Sequence, residues 1–318
     1  MTLDLLTLDE EALAKLYAER IQPILSRNEG GRVVAFATYR MRCIWGALGS
    51  LAIAGATYFL WDDAFNALIF GGAAFAGAHW YAYQPLQEVG IATKQQSLGA
   101  IASAIGCSYE LAAFEPEAFA RFTEVELVPS CDRSAFQDGF RGEFRGCAFA
   151  FYEGHLERRV QTKNGSRWDT VFRGQLVRVA FPKKFLGVTV VRRDAGIFNM
   201  LQRRSTTPQR VGLGDSRLEK AFEVYSTDQV EARYLIHPVF MERLLSLETR
   251  FKGKRLRCAF QDGDLLLAVE GGDKFEIGSM FSRLDDIARA RAIIADVAEI
   301  MRLIDAVLTA EQSPLPNL

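Results

Sequence analysis

The sequence lacks the residue patterns of the common catalytic and cofactor-binding sites. It has only three histidines, His79, His155 and His237, and contains no H-E-x-x-H zinc motif, no G-x-S-x-G nucleophile motif and no phosphate-binding P-loop. The Gly212-x-Gly214 pair lacks the third glycine of a dinucleotide-binding turn and is interpreted as a turn. The sequence therefore predicts no catalytic residue and no cofactor, and it disfavours an enzyme without excluding one.

Cysteine pairs with metal-binding or disulfide spacing are also lacking. The five cysteines are odd in number, lie far apart and form no C-x-x-C motif, so no metal site is predicted and a reducing cytoplasmic environment is the simpler interpretation. The first forty residues mix acidic and basic side chains and lack the apolar core of a signal peptide. The apolar segments that follow are therefore expected to remain in the mature protein.

Charge is lacking from two neighbouring apolar runs, Cys43 to Leu60 and Ala67 to Tyr83. At 1.5 Å per residue each run reaches about 26 Å, close to the hydrocarbon thickness of a bilayer. The short polar segment Trp61 to Asn66 would join them as an antiparallel pair. The sequence predicts two transmembrane helices at 43–83, and the alternative is a helical hairpin buried in a soluble core.

The side chains that border these runs predict how the helices pack and which way they cross. Small residues recur on one face of each run and permit close packing: Gly46, Ser50 and Ala54 in the first, and Ala74, Ala78 and Ala82 in the second. Aromatic residues mark both edges of the pair. Arg27, Arg32, Arg40, Arg42 and Lys94 lie outside the runs, whereas only acids occupy the turn, so both termini are predicted to be cytoplasmic.

Helical periodicity flanks the apolar runs and recurs near the carboxyl end. Residues 1–42 carry an amphipathic pattern, and residues 84–124 are predicted to be a connecting helical segment. A heptad pattern from Ser282 to Leu308 predicts a long C-terminal helix that either packs on its own chain or forms a coiled coil, which leaves a homo-oligomer open. The tail 310–318 is predicted to be disordered.

Between residues 125 and 281 the apolar period changes to the alternation of antiparallel strands. Asn164-Gly165 and Asp262-Gly263 have the composition of tight hairpin turns, and Pro238 to Leu247 predicts a short helix that starts on proline. The fold class is therefore α+β, with a mainly antiparallel sheet domain. One domain and two packed subdomains both remain open.

Two stretches of this region, Val171 to Asp194 and Leu218 to Leu244, resemble the signature stretches of an uncharacterised bacterial membrane family, domain of unknown function 3137. The resemblance extends over Phe140 to Phe281, and a preceding membrane hairpin is typical of the family. It implies the architecture and a bacterial inner-membrane location, but no activity, substrate or site residue.

Two parts of the sheet region are candidate binding sites. The segment from Tyr225 to Arg233 places hydrogen-bonding groups beside apolar residues, so Tyr225, Asp228, Glu231 and Arg233 are candidate ligand-binding residues of an enzyme or small-ligand sensor. The alternative is a capped turn in which Ser226, Thr227 and Asp228 bond to local backbone groups. His237 is interpreted as a residue bonded to backbone at a helix start.

The second candidate binding site is marked by an excess of basic side chains. Residues 152–210 hold 13 basic against 4 acidic side chains, although the net charge of the whole chain is -1. We expect Lys183, Lys184, Arg192, Arg193, Arg203 and Arg204 to contact anionic lipid headgroups or another membrane protein. Nucleic acid is not expected as a partner, because no recognised binding motif accompanies the charge. The sequence thus predicts a membrane-anchored cytoplasmic binding or regulatory module of unknown specificity.

Overall fold

The computed structural model describes residues 10–112, 114, 116–163, 165–181, 184–192, 208–212, 219, 222–250, 254–273, 275, 280–281, 288, 291, 294–299, 301–302 and 304–305. The chain divides into two compact units. One, the helical unit, comprises Glu11–Ala100 and Glu276–Ala290; the other, the sheet unit, comprises Met1–Glu10, Ile101–Phe275 and Arg291–Leu318.

Two long helices dominate the helical unit. Helix α1 spans Glu10–Leu16 and is followed by a π-helical turn, Tyr17–Ile21. Helix α2 spans Gln22–Trp61, and α3 spans Ala64–Ala104. The predicted boundaries at residues 42 and 83 therefore lie inside two continuous helices.

The predicted helical connection from 84 to 124 is helical only in part. Gly106, with a φ of 77°, ends α3, and the amide of Cys107 donates to the carbonyl of Ala102 at 2.8 Å. Strand β1, Ser108–Ala112, and the short helix α4, Phe119–Glu124, follow. The sheet thus begins before the predicted residue 125, since the alternation of β1 is too short to outweigh the preceding helical pattern in the sequence.

Nine strands among the described residues form one antiparallel sheet. The order across the sheet is β1-β2-β3-β4-β9-β8-β5-β7-β6. The remaining strands are β2 (Arg133–Phe144), β3 (Cys147–Thr162), β4 (Gly165–Ala180), β5 (Thr189–Arg192), β6 (Gln209–Val211), β7 (Glu223–Ser226), β8 (Lys254–Gln261) and β9 (Asp264–Glu270).

One of the two predicted hairpin turns occurs where the sequence predicts it. Asp262 and Gly263 have φ values of 52° and 90°, the two positive angles that a two-residue turn needs to match the twist of its strands. That turn joins β8 to β9 and is confirmed. Gly165 opens β4 with a φ of 127°, and Asn164 lies outside the described residues.

Helices cover both faces of the sheet. Val190, Ala259 and Leu266 occupy one cross-strand row and belong to an apolar cluster with Phe122 of α4. The neighbouring row points to the opposite face, where Phe260 lies 5.3 Å, centroid to centroid, from Phe240. Phe240 belongs to helix α6, Pro238–Arg250, which begins on proline as predicted and follows the short helix α5, Gln229–Leu235.

The predicted long helix from Ser282 to Leu308 is not shown at that length. The longest continuous run of described helical residues in this part of the chain is 294–299. Ile294, Val297 and Met301 of the predicted heptad seam are buried, which shows that the seam packs within the protein. Residues 282–287 and 306–318, including the predicted disordered tail, lie outside the described residues.

Candidate functional site

The first candidate site is the apolar surface of α2 and α3. From Cys43 to Trp61 in α2 and from Ala64 to Gln87 in α3 the chain carries no Asp, Glu, Lys or Arg side chain. Most large apolar side chains of these runs are exposed, and Phe59 reaches 89%. The other strongly exposed members include Trp45, Leu51, Leu60, Phe65, Leu68 and Trp80. Contiguous exposed apolar surface of this kind is typical of a membrane or protein contact.

Small residues bring α2 and α3 together, as the sequence predicts. A Cβ atom added to Gly46 would lie 2.6 Å from Cβ of Ala78, and one added to Gly71 would lie 2.8 Å from Cβ of Ala54. Ser50, between them on α2, is buried. Because residue numbers rise along α2 as they fall along α3, the two helices are antiparallel and remain in contact over the apolar length.

Polar groups lie at both ends of this contact. At the turn, Asp62 adopts a left-handed conformation, and Asp63 accepts hydrogen bonds from the amide of Phe65 and the side chain of Asn66 at 2.8 and 2.7 Å. At the other end, Arg42 donates to the Tyr81 carbonyl at 3.2 Å. Arg42 and Asp62 are separated by about 30 Å at 1.5 Å per residue, which matches the hydrocarbon thickness of a bilayer.

One helical stretch among the described residues, Ala14–Trp61, is long and apolar enough to cross a membrane by length and composition. Only 6% of its most apolar window is buried, unlike the core helix of a soluble protein. The second predicted span, in α3, does not meet the same criterion, because Asn66, His79 and several glycines lower its hydropathy. The prediction of a membrane segment is thus supported for α2 alone.

The predicted ligand segment from Tyr225 to Arg233 forms the end of β7 and the start of α5. Asp228 is the N-cap of α5 and accepts hydrogen bonds from the amides of Val230 and Glu231 at 3.0 and 2.9 Å. Ser226 accepts from the Asp228 amide at 3.0 Å. These are the local backbone bonds of the capped turn that the sequence offered as an alternative.

Glu231 and Thr227 bind the loop before β5. Both carboxylate oxygens of Glu231 accept backbone amides, from Leu186 at 2.8 Å and from Gly187 at 2.9 Å, and Thr227 accepts from the amide of Val188 at 2.9 Å. A carboxylate held by two amides at a helix start is well placed to fix a loop. Its oxygens are directed at the protein's own backbone.

Tyr225 and Arg233 do not converge on the Glu231 carboxylate. The Tyr225 hydroxyl donates to Glu223 at 3.2 Å, and burial, followed by the Glu223 carboxylate, raises the pKa of this phenol. Arg233 is exposed. The structure therefore uses most of the predicted polar groups to hold β7, α5 and the neighbouring loop in place.

Of the six predicted basic contact residues, only Lys184 and Arg192 are among the described residues. Lys184 is exposed. Arg192 is partly buried and donates to the carbonyls of Val125 and Glu126 at 3.3 and 3.2 Å, and burial lowers the pKa of its guanidinium. Arg192 thus ties β5 to the segment after α4. Lys183, Arg193, Arg203 and Arg204 lie outside the described residues.

A chain of alternating charges on the α4 face of the sheet was not predicted from the sequence. Arg178 bonds to Glu117 at 2.7 Å and to Asp264 at 3.1 Å. Each of these acids has a second arginine partner. The six residues in order are Glu110, Arg141, Glu117, Arg178, Asp264 and Arg121. They come from five separate parts of the chain, so no local spacing could reveal them, and their alternating signs fit a structural network.

The remaining histidines also have local partners. Nδ1 of His237 accepts from the amide of Phe240 at 3.4 Å, at the start of α6, as the sequence predicts. His155 lies 2.9 Å from the Thr170 hydroxyl across β3 and β4. Within the described part of the chain, no group of three or more His, Cys, Asp or Glu residues is arranged to hold a metal ion.

Comparison with known proteins adds a family match without a function. Residues 170–308 match the family model described as Protein of unknown function (DUF3137), which confirms the resemblance seen in the sequence and covers less than half of the chain. No curated protein matches. The crystal structure of the mycobacterial trehalose monomycolate transport factor A, TtfA, aligns with 70% of this chain and 98% of its own, at 14% identity and a TM-score of 0.38. At that TM-score the likeness supports no conclusion about this chain.

Proposed function

We propose that this protein is a membrane-anchored binding or regulatory module of the bacterial inner membrane. In this proposal α2 and α3 cross the bilayer together, and the antiparallel sheet unit acts in the cytoplasm on a partner protein or on lipid headgroups. The exposed apolar surface of α2 is the observation that carries the proposal. A protein in water would leave these side chains hydrated, and each large one gains about 1.5 to 3 kcal/mol on transfer to an apolar phase.

The contacts between the helices support a second span in α3. Gly46 meets Ala78 near one end of the apolar run, and Ala54 meets Gly71 near the other. A helix that packs along α2 over this length enters the hydrocarbon whenever α2 does. Its charge-free run supplies enough residues to cross, and neighbouring helix surface offsets its lower hydropathy.

The charged ends of the helix pair support the orientation. Asp62 and Asp63 occupy the turn, whereas Arg40 and Arg42 precede the apolar run of α2. Basic residues near membrane spans remain on the cytoplasmic side. The amino terminus and the whole sheet unit are therefore proposed to face the cytoplasm, on the same side of the bilayer.

Cysteine labelling in intact bacteria tests the anchor, the number of spans and the orientation together. The partly exposed cysteines, Cys43, Cys107 and Cys131, are first replaced by alanine. Single cysteines are then introduced as Lys15→Cys, Asp62→Cys and Lys163→Cys, all at exposed positions. A maleimide that cannot cross the inner membrane should label Asp62→Cys in intact cells, and the other two only after permeabilisation.

Each alternative topology gives a different pattern. If α2 alone crossed the membrane, Lys15→Cys and Lys163→Cys would be labelled from opposite sides, which would contradict the two-span anchor. If alkaline carbonate released the protein from the membrane fraction and no site were labelled in intact cells, the whole proposal would be wrong.

A further inference from the structure

Strands β3 and β4 extend beyond the rest of the sheet. They pair with each other from Ala148↔Ala180 to Thr162↔Gly165. Their outer neighbours stop earlier: β2 pairs with β3 only as far as Glu157, and β9 pairs with β4 only from Gly174. Residues 158–163 and 165–170, which we call the arm, thus project as a two-stranded ribbon over about 17 Å at 3.3 Å per residue.

Its base is fixed to the sheet. The Asp132 carboxylate accepts a hydrogen bond from the backbone amide of Arg159 at 2.8 Å, and the guanidinium of Arg158 donates to the carbonyl and hydroxyl of Ser130 at 2.6 and 2.8 Å. These bonds fix the orientation of the arm at its base. The exposed part of the arm begins beyond them.

One face of the arm carries an exposed aromatic between two arginines. Trp168 pairs across the strands with Arg159, and the guanidinium carbon of Arg133 lies 5.2 Å from the centroid of the Trp168 ring. Trp168 is 45% exposed although tryptophan has the largest apolar side chain. An exposed tryptophan on a projecting ribbon does not contribute to the core and is typical of a contact surface.

Positive charge accompanies this ring. Residues 157–169 hold four basic side chains, Arg158, Arg159, Lys163 and Arg167, against the acidic Glu157 and Asp169. Arg159 donates from Nε to the hydroxyl of Ser166 at 2.9 Å, an uncharged acceptor that leaves its positive charge in place. Lys163 is exposed at the end of β3. The opposite face holds Arg167, which pairs with Asp169 at 2.8 Å.

An anionic bilayer surface is the partner that this chemistry fits best. Tryptophan rings partition to the headgroup region, and arginine and lysine bind lipid phosphates. A polyanion such as DNA fits less well, because the net charge of the whole chain is -1 and a protein of that charge is not drawn to it at long range. A chain held in the bilayer also presents its arm at high effective concentration, so a weak contact suffices.

We propose that the arm docks on the anionic headgroups of the bilayer, with Trp168 at headgroup level and with Arg159 and Lys163 against phosphates. Arg133 pairs with Glu157 at 2.6 Å and is not assigned to this contact. This inference rests on the proposed function, since it needs the membrane that α2 and α3 would enter. It assigns a lipid contact to the end of β3 and the start of β4, in addition to the predicted residues 183–204.

The experiment uses the full chain in nanodiscs with an environment-sensitive fluorophore on the arm. Gln161→Cys is labelled in the background that lacks Cys43, Cys107 and Cys131, because Gln161 is exposed on the Trp168 face. Discs of phosphatidylcholine alone are compared with discs that contain about one third phosphatidylglycerol. We expect a blue shift and a several-fold rise in emission only in the anionic discs, lost again in high salt.

Variants on the two faces of the arm distinguish docking through the Trp168 face from a general effect of positive charge. Trp168→Ala and the pair Arg159→Gln with Lys163→Gln should abolish the lipid-dependent shift, whereas Arg159→Lys should keep most of it. Arg167→Gln is the matched control for Arg159→Gln alone, since each removes one positive charge but Arg167 lies on the opposite face; Arg167→Gln should leave the shift largely unchanged, whereas Arg159→Gln should reduce it. Thermal unfolding of each variant checks that the sheet is intact.

The contradicting outcomes are distinct. Equal emission in both kinds of disc, or a shift that survives Trp168→Ala together with Arg159→Gln, would overturn the docking inference and leave the anchor standing. A shift produced by a DNA duplex and not by phosphatidylglycerol would replace the bilayer with nucleic acid as the partner. If the chain failed to co-elute with the discs at all, the proposed function itself would be wrong.

Discussion

Arg42 donates a hydrogen bond from Nη1 to the backbone carbonyl of Tyr81, at 3.2 Å, across the contact between α2 and α3. Pro85 lies four residues after Tyr81 and has no N–H, so it cannot supply the intrahelical hydrogen bond that this carbonyl would otherwise accept. The Arg42 guanidinium also lies 4.4 Å from the centroid of the Tyr81 ring. One arginine thus compensates for the proline and joins the two helices at their basic end.

Replacing Arg42 by glutamine should destabilise the pairing of α2 with α3 by roughly 1 to 2 kcal/mol, because a hydrogen bond from a charged donor and a cation–π contact are both lost. Thermal unfolding of the purified protein in detergent measures the change. Arg40→Gln is the control, since Arg40 is an exposed neighbour of the same charge, and it should have little effect.

The same relationship predicts that the loss of stability caused by Arg42→Gln depends on Pro85. Pro85→Ala restores an N–H that can bond to the Tyr81 carbonyl, so Arg42→Gln should cost less in the Pro85→Ala background than in the natural chain. An equal cost in both backgrounds would show that Arg42 does not serve the carbonyl that Pro85 leaves without a partner.

Gly46 and Gly49 form a matched pair of glycines in α2. A Cβ at position 46 would lie 2.6 Å from Cβ of Ala78, whereas a Cβ at position 49 meets nothing within 4 Å. Gly46→Ala should therefore force the helices apart and cost about 1 to 3 kcal/mol, while Gly49→Ala should be neutral or slightly stabilising, since alanine favours helix. Unfolding in detergent measures both variants.

A compensating change distinguishes this close packing from a local effect on α2. Ala78→Gly removes the atom that the new methyl group would meet and should recover much of the loss caused by Gly46→Ala. If Gly46→Ala and Gly49→Ala behaved alike, the close approach of α2 and α3 at this level would be refuted.

The elements that the sequence predicted well are those with a strong local signal. The apolar run of α2, the Asp262-Gly263 turn and the helix that starts at Pro238 each depend on residues within one short stretch. The predicted boundaries were less accurate, because helical residues continue through 42 and 83 with no capping residue or glycine to end them. β1 was missed since five alternating residues after a long helix carry little pattern of their own.

The candidate site was harder to predict because its residues meet only through the register of the strands. Trp168 and Arg159 are nine positions apart in the sequence, and their pairing depends on the register of β3 and β4, in which Thr162 pairs with Gly165. Arg133 joins them from a third strand. The number of basic residues in 152–210 predicted a charged region. Composition alone could not distinguish Arg192, which is bonded inside the fold, from Arg159, which lies on the arm.

Asp264 provides a test of the charge network in the sheet unit. Its side chain is 4% exposed and pairs with Arg121 and Arg178. Asp264→Asn keeps the shape of the side chain but leaves two arginines facing a neutral group, so we expect a loss of about 2 to 3 kcal/mol in unfolding free energy, below the range for fully buried pairs because both arginines are partly exposed. Urea titration monitored by circular dichroism measures it.

Asp169 is the matched control for Asp264. It also pairs with an arginine, Arg167, at 2.8 Å, but both partners are more than a third exposed. Asp169→Asn should change the stability by less than about 0.5 kcal/mol. Similar losses in the two variants would mean that burial does not strengthen the pairs of the network, contrary to this prediction.

The burial of Cys107 predicts that the reactivity of its thiol depends on pH. Burial raises the pKa of its thiol from the usual 9.0 to about 11, because the thiolate is poorly solvated next to β2. At pH 8 only about one molecule in a thousand would carry the thiolate, which is the form that iodoacetamide attacks. Alkylation of Cys107, followed by mass spectrometry, should stay slow until the pH approaches 11, whereas in denaturant it should accelerate near pH 9.

The sign of the accompanying stability change follows from the same shift. A folded-state pKa above the unfolded value means that the protonated thiol favours the folded protein; this contribution is complete below about pH 9 and is lost as the pH rises through 11. Cys107→Ala should therefore flatten the fall in stability between these pH values. Identical alkylation profiles for the folded and unfolded protein would show that Cys107 is as well solvated in the fold as in the free chain.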